Sequence, residues 1–323
     1  MNILITGGSG VIGSKLIPLL LEENKLIAIG RELKHFPEYI RHHKNFKFYE
    51  IDLFSGDILK ITDRVDFIVH LAALVSDHYH THDEYFALNF EGTKKLIQFA
   101  RKNNVKNFFF TSSVSVYGES LSNRKLTEKS RLTGKTDYAL SKIEAEKALV
   151  NSGLNYVIFR VASVYGPGSK GFINKIIKLT SRGVVPFPIG KEYKKSFIYI
   201  DDLVEYVIRT LREPKLGIYN ISHPDVVSYV ELLELIKLTI NKKYVLKLYI
   251  NKIVMFIVKI FNKILHLSKV TKNPRKINLD PLLNQIVVSP NLAIKEFEYS
   301  PVTDIQKGIE LTLESLKKGK ILH

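Results

Sequence analysis

The chain has no cysteine. That excludes disulfides, thiol nucleophiles and thiolate metal sites, and it is compatible with a reducing compartment. Acidic residues are scarce beside basic ones, 32 against 48, which leaves a formal excess of +16. The shortage is sharpest from Leu235 to Leu279, where no Asp or Glu occurs and eleven lysines and arginines run from Lys237 to Lys276. Such a segment attracts an anion, whether a diphosphate substrate, an acidic membrane surface or nucleic acid; the alternative is a solvated lysine-rich face. Long uninterrupted apolar runs are also missing. Ile250–Leu265 carries a broad helical stripe, but Lys252, Lys259 and Lys263 break it too often for a membrane span. Its periodicity predicts a core-facing helix. Peripheral membrane contact through residues 245–276 is the alternative. The N-terminus enters a strand at Asn2, with no basic n-region or small-residue cleavage site, so a cytoplasmic protein without a signal peptide is expected.

A length of 323 residues with 45% apolar content allows one large domain or two unequal ones. Apolar runs predict strands at Asn2–Thr6, Lys25–Gly30, Phe46–Glu50, Phe67–Leu71, Asn107–Thr111, Asn155–Val161 and Gly217–Ile221. Helical spacing predicts helices at Val11–Glu22, Ser55–Thr62, Ala87–Arg101 and Tyr138–Val150 between them. Alternation of this kind implies βαβ units and a doubly wound parallel sheet covered on both faces. After Pro167 the pattern loosens, with helices expected at Gly171–Arg182, Asp201–Arg212 and Tyr229–Asn241 and a Gly/Pro-rich connection around Pro186, Pro188 and Gly190. The predicted division is 1–165 plus 196–222 for a nucleotide-binding domain, and 166–195 plus 223–323 for a smaller, mostly helical substrate domain.

Two stretches carry chemistry. Thr6-Gly7-Gly8-Ser9-Gly10-Val11-Ile12-Gly13 follows the first strand and opens the first helix. Gly7 allows the tight turn, Gly10 lets the backbone approach a pyrophosphate, and Gly13 lets helix and strand pack closely. The helix N-terminus then offers unpaired N–H groups and a positive dipole end to the phosphates, with Val11 and Ile12 in its first turn. The second stretch is Tyr138-Ala139-Leu140-Ser141-Lys142, with Ser113 upstream. Tyr138 and Lys142 are four apart and share a helix face. An ammonium beside the phenol favours phenolate and brings its pKa toward the working range. Phosphate cradle and proton-transfer pair together indicate a nicotinamide-dependent oxidoreductase.

With these motifs the chain resembles the extended short-chain dehydrogenase/reductases, the NAD-dependent epimerase/dehydratase family that includes nucleotide-sugar epimerases and reductases. His70-Leu71-Ala72-Ala73 stands where that family has His-x-Ala-Ala, and Asn89-Phe90-Glu91-Gly92-Thr93 where it has Asn-x-x-Gly-Thr. Thr111-Ser112-Ser113 with Val116-Tyr117-Gly118, then Tyr165-Gly166-Pro167 and Phe197 to Asp202, match later landmarks. The resemblance covers about residues 1–225 in order and spacing. It implies a Rossmann-type domain, a Ser113, Tyr138 and Lys142 catalytic set, and Lys142 on the nicotinamide ribose. It also implies cofactor contacts at Asp52, Leu53, Leu71, Ala72, Ala73 and Asn89, substrate contacts at Ser113, Ser163 and Lys195, and a homodimer.

Cofactor type turns on the end of the second strand, where Asp or Glu binds a ribose 2′-hydroxyl. Here Arg31 occupies that place and is suited to a 2′-phosphate, favouring NADP over NAD; the alternative has Glu32 taking the ribose. Members that eliminate water carry Thr-Asp-Glu before Val-Tyr-Gly. This chain has Ser113, Val114 and Ser115, without the acid and base, so a 4-epimerase or 4-ketoreductase of a nucleoside-diphosphate sugar is expected rather than a 4,6-dehydratase. Two rivals stand beside it. One is a reductase or dehydrogenase of a steroid-like or flavonoid-like alcohol, toward which Ser163, in place of an asparagine, leans. The other is a non-catalytic cofactor-sensing or nucleic-acid-binding relative. Intact Ser113, Tyr138 and Lys142 speak against that one, and no nucleic-acid partner is expected. Asp77, His78, His80, His82 and Asp83 alternate like metal ligands, but they fall in a loop and no metal is expected.

Overall fold

The computed structural model describes residues 1–75, 80–120, 124–169, 171–189, 193–241, 244–251, 253–254, 256–258, 260 and 285–321. Seven strands form one sheet: β1 (Asn2–Thr6), β2 (Lys25–Gly30), β3 (Phe46–Glu50), β4 (Phe67–His70), β5 (Asn107–Ser113), β6 (Asn155–Val161) and β10 (Gly217–Ile221). Their order is β3-β2-β1-β4-β5-β6-β10, and every pairing is parallel. The strand residues alternate between two cores. Ile3 and Ile5 enter one cluster and Leu4 the other; Phe109 enters the first, Phe108 and Phe110 the second. A sheet buried on both faces therefore reads as continuous apolar runs. Each such side chain contributes about 1.5–3 kcal/mol by leaving water.

Helices cover both faces. They are α1 (Val11–Leu20), α2 and α3 (Asp137–Val150), with α5 (Ile200–Arg212) packing on α1. The α2 segment opens as His82–Tyr85, passes through a π-helical stretch Phe86–Glu91 and continues as Gly92–Lys102. It begins earlier than its periodicity predicts because Thr81 and Glu84 form a reciprocal capping box. The predicted helix at Ser55–Thr62 shrinks to a single 3₁₀ turn, Ile58–Lys60. There the Asp57 carboxylate accepts the Leu59 amide at 2.9 Å and caps the turn, so the helical stretch starts at Ile58 and not at Ser55.

The remaining elements form the smaller region. The helices are α4 (Phe172–Ser181), α6 (Tyr229–Thr239), α7 (Asn291–Phe297) and α8 (Ile305–Ile321). The strands β7 (Ser163–Tyr165), β9 (Lys194–Tyr199) and β11 (Val226–Ser228) make one small sheet. The strands β8 (Val184–Pro188) and β12 (Leu246–Ile250) make another. Pro186 and Pro188 in β8 are tolerated because that sheet has two strands and so only edges. Two features stitch this region to the large sheet. The Phe297 ring packs edge-on against Phe159, Tyr206 and Tyr219 at 5.6, 5.8 and 5.0 Å. The buried Asp202 carboxylate accepts bonds from Tyr299 Oη at 2.6 Å and from the Val302 and Thr303 amides.

The predicted core-facing helix at Ile250–Leu265 is not what the structure shows. Ile250 closes strand β12, and residues 253–260 are helical at their described positions. Ile253, Phe256, Ile257 and Ile260 are exposed, while Val254 packs on the core. Periodicity identified the stripe but could not say which way it faces. Residues 261–265 lie outside the described ones.

Candidate active site

In a parallel sheet the carboxyl ends of all strands share one edge, and ligands bind where strand order reverses, here between β1 and β4. The glycine turn sits at that point. Gly7 has φ of +69°, and a Cβ there would lie 2.6 Å from the Ala72 amide nitrogen. The loop after β4 therefore closes directly on the turn. A Cβ on Gly13 would lie 2.5 Å from Gly8 Cα, so the helix packs on the turn itself. At Gly10 the only neighbour within 4 Å of an added Cβ is the Gly7 carbonyl, so that side is open. Gly10 caps α1 without a side-chain bond, and the first turn holds no acid. The Val11, Ile12 and Gly13 amides and the helix dipole thus face an open approach, a cradle that fits a pyrophosphate.

A directional hydrogen-bond chain fixes this edge. Thr93 Oγ1 donates to the Asn89 carbonyl at 2.6 Å, so its oxygen accepts from His70 Nε2 at 3.0 Å. His70 Nδ1 then accepts from Thr6 Oγ1 at 2.7 Å, and Thr6 Oγ1 accepts the Ala72 amide at 3.1 Å. Burial, helped by the Lys142 charge, holds His70 well below the usual imidazole pKa, as this neutral tautomer requires. Asn89 lies in the π-helical stretch, and its side chain serves protein partners. It accepts from the Leu74 amide at 2.8 Å and donates to the Leu74 carbonyl and Ser141 Oγ. It therefore shapes the loop that carries Leu71, Ala72 and Ala73.

Ser113 ends β5 and caps the 3₁₀ turn Val114–Tyr117, its Oγ accepting the Ser115 amide at 3.2 Å. Thr136 caps α3 and so places Tyr138 in its first turn, with the Tyr85 ring 6.1 Å away. Lys142, one turn further, is buried. Its Nζ donates to the Thr111 carbonyl at 2.9 Å and lies 4.5 Å from the Phe110 ring centroid. Desolvation pulls its pKa down to about 7, with Glu146 pulling the other way. Among the described residues, Thr111 Oγ1 and Ser115 Oγ are buried without a hydrogen-bond partner. Unpaired buried hydroxyls at the strand edge are what a bound sugar or ribose would satisfy.

Glu146 continues the face of Tyr138 and Lys142 by one more turn, a spacing visible in the sequence but not used there. Its carboxylate accepts from Arg160 Nη2 at 2.7 Å, from Arg160 Nε at 3.1 Å and from Ser112 Oγ at 2.5 Å. Arg160 Nη1 donates to Tyr117 Oη and the Glu128 carbonyl. Both ions are nearly inaccessible, with side chains 4% and 3% exposed.

The other candidates sit around this centre. Arg31 follows β2 and is exposed; Glu32 beside it is ion-paired with Lys34, which lowers its pKa. Asp52 Oδ1 accepts the Phe54 amide at 3.0 Å, and Leu53 is buried. Ser163 lies on β7, in register with Phe197 of β9. Lys195 on β9 is buried, its Nζ 5.4 Å from the Phe172 ring centroid, and desolvation lowers its pKa to about 7 against the field of Glu119. Of the alternating histidines, His82 pairs with Asp137 at 2.9 Å and stacks on Phe86, whereas His80 faces Glu84 at 3.7 Å. They serve separate partners, and Asp77 and His78 lie outside the described residues.

Comparison with known proteins gives a consistent picture. The model of the NAD dependent epimerase/dehydratase family matches residues 3–222. A UDP-glucose 4-epimerase of Vibrio cholerae is 30% identical over 267 residues, covering 75% of this chain and 76% of that protein. A human dTDP-D-glucose 4,6-dehydratase is 31% identical over 262 residues, covering 74% and 75%. Among solved structures, a Bacillus cereus UDP-glucuronic acid 4-epimerase in complex with UDP-glucuronic acid and NAD superposes with a TM-score of 0.78. It is 21% identical, and the match covers 98% of this chain and 99% of that one.

Proposed function

The chain belongs to the NAD dependent epimerase/dehydratase family, and from that premise we propose that it is a 4-epimerase or 4-ketoreductase of a nucleoside-diphosphate sugar. The observation that carries the choice is at Val114 and Ser115. Elimination of water needs an acid and a base there. Val114 instead is buried in an apolar cluster with Val116, Tyr117 and Ile143, and Ser115 offers only a hydroxyl. The site has no carboxylate at these positions to protonate a leaving hydroxyl. Proton transfer to and from the C4 oxygen needs only one group, and this reading gives that role to Tyr138.

In this reading Tyr138 takes the hydroxyl proton, Ser113 hydrogen-bonds the same oxygen, and Lys142 binds the ribose and favours phenolate when protonated. A dinucleotide whose pyrophosphate the Gly7–Gly13 cradle would hold would supply hydride exchange at C4. Asn89 and His70 keep the facing loop in register. Lys195 is assigned to the diphosphate. A buried lysine with a depressed pKa gains most when an anion arrives to hold its proton. Arg31 favours NADP, because Glu32 is already committed to Lys34. A homodimer is part of the same proposal.

The test is incubation of the pure protein with a panel of UDP- and dTDP-sugars, with NAD or NADP in either redox state, followed by chromatography and proton NMR. A C4 epimer, or a C4 alcohol formed as reduced cofactor is consumed, is the expected product. A 4-keto-6-deoxy sugar would overturn the choice against dehydration. No turnover of any sugar would remove the substrate class.

A further inference from the structure

The exposed apolar stripe found at residues 253–260 is part of a larger face. Ile253, Phe256, Ile257 and Ile260 follow i, i+3, i+4, i+7 spacing and are 68%, 64%, 57% and 44% exposed. Strand β12, just ahead of it in the chain, adds Leu246 at 63% and Leu248 at 49% on one of its faces. Across the two-stranded sheet lies exposed Ile189, whose amide donates to the Ile250 carbonyl at 3.0 Å. Single exposed apolar residues are ordinary, but a contiguous patch of large ones marks a surface that binds something.

Charge says what that partner is. From Leu235 to Ile260 the chain has six lysines and no carboxylate. A small anion would be served by the lysines and would have no use for exposed Ile and Phe. A second copy of the chain would bring a second lysine-rich stretch against the first, and the neighbouring acid, Glu234, is already paired with Lys237. An anionic lipid surface uses both features at once: apolar side chains enter the acyl boundary while lysines meet the phosphate headgroups. Among the described residues no helix is long and apolar enough to cross a membrane, so the contact lies on the surface.

We propose that the face formed by β12 and residues 253–260 docks the protein peripherally on an anionic lipid bilayer. The proposal stands apart from the reading of the active site. The chain has no tryptophan, so Phe256→Trp creates a single fluorescent reporter in the stripe. With phosphatidylglycerol/phosphatidylcholine vesicles its emission should shift to the blue, and with pure phosphatidylcholine it should not. The full-length wild type should co-sediment with the anionic vesicles and be released as salt rises. Ile253→Ser/Phe256→Ser/Ile257→Ser should weaken co-sedimentation at least tenfold with an unchanged melting temperature, since these side chains are exposed. Lys247→Glu/Lys252→Glu, an independent variant should the first fail to fold, should weaken it similarly. Three results would each overturn the proposal: no co-sedimentation of the wild type, a vesicle affinity that survives both variants, or a wild-type dimer that the triple variant dissociates without any vesicle binding.

Discussion

Replacing Glu146 by glutamine removes one charge from a pair that has no access to water. Arg160 would keep its bonds to Tyr117 Oη and the Glu128 carbonyl and one amide oxygen from the new side chain. It would lose its counter-ion. Removing one member of a buried pair costs about 3–5 kcal/mol, and the surviving acceptors put this case at the lower end, about 3 kcal/mol. Urea unfolding of the cofactor-free protein at neutral pH measures it, with Arg160→Met as the reciprocal loss. The double variant Glu146→Leu/Arg160→Met should lie well above the sum of its parts, because two apolar side chains leave no charge stranded. A second consequence reaches Lys142. Glu146 raises that lysine's pKa, so without it the value drops below about 7 and less ammonium is present at neutral pH. Cofactor affinity should then weaken at a lower pH than in the wild type. A stability loss under about 1 kcal/mol for Glu146→Gln, or an additive double variant, would refute the account of the pair.

Three other outcomes are expected. Tyr138→Phe should bind cofactor nearly as well as the wild type and lose about 10²–10⁴-fold in kcat; more than a tenth of wild-type kcat would exclude it as the proton-transfer group. Arg31→Asp should turn a preference for NADP toward NAD, measured by titrating both; a wild type that already binds NAD better would remove Arg31 as selector. His70 is neutral in the fold, whereas in the unfolded chain it gains a proton below about pH 6.5. Its contribution is therefore whole above that pH and lost as pH falls, by at most about 1.4 kcal/mol per unit. The stability gap between wild type and His70→Asn should shrink from pH 7 toward pH 5, and a constant gap would contradict the tautomer assigned here.

The parallel sheet was legible because its strands are buried on both faces, which leaves apolar runs bounded by turns. β1, β2, β3, β6 and β10 fall at the predicted residues, whereas β5 extends two residues further, to Ser113. Short strands of the smaller region were not legible. β7 and β11 have three residues each, and β8 carries two prolines. Ser55–Thr62 shows the opposite error, since only the turn that Asp57 caps, Ile58–Lys60, is helical. In the proposed site, the shared helix face of Tyr138 and Lys142 was legible from spacing, whereas Ser113 came from the family resemblance. The partners that hold such residues, Arg160 with Glu146 or Thr6 with His70 and Thr93, come from different strands and helices. Only the folded sheet brings them together.

The match to the family model stops at residue 222, and by then every candidate catalytic group has been made. Yet Phe297 fills the space between Phe159, Tyr206 and Tyr219, and Tyr299, Val302 and Thr303 satisfy Asp202. During synthesis these residues leave the ribosome well after the candidate catalytic groups. Until they arrive, the larger half carries an unfilled aromatic socket and a carboxylate without its donors. The nascent chain therefore reaches this packing only after residue 303 is made, and a chain cut at the motif boundary would keep the socket open and the carboxylate bare.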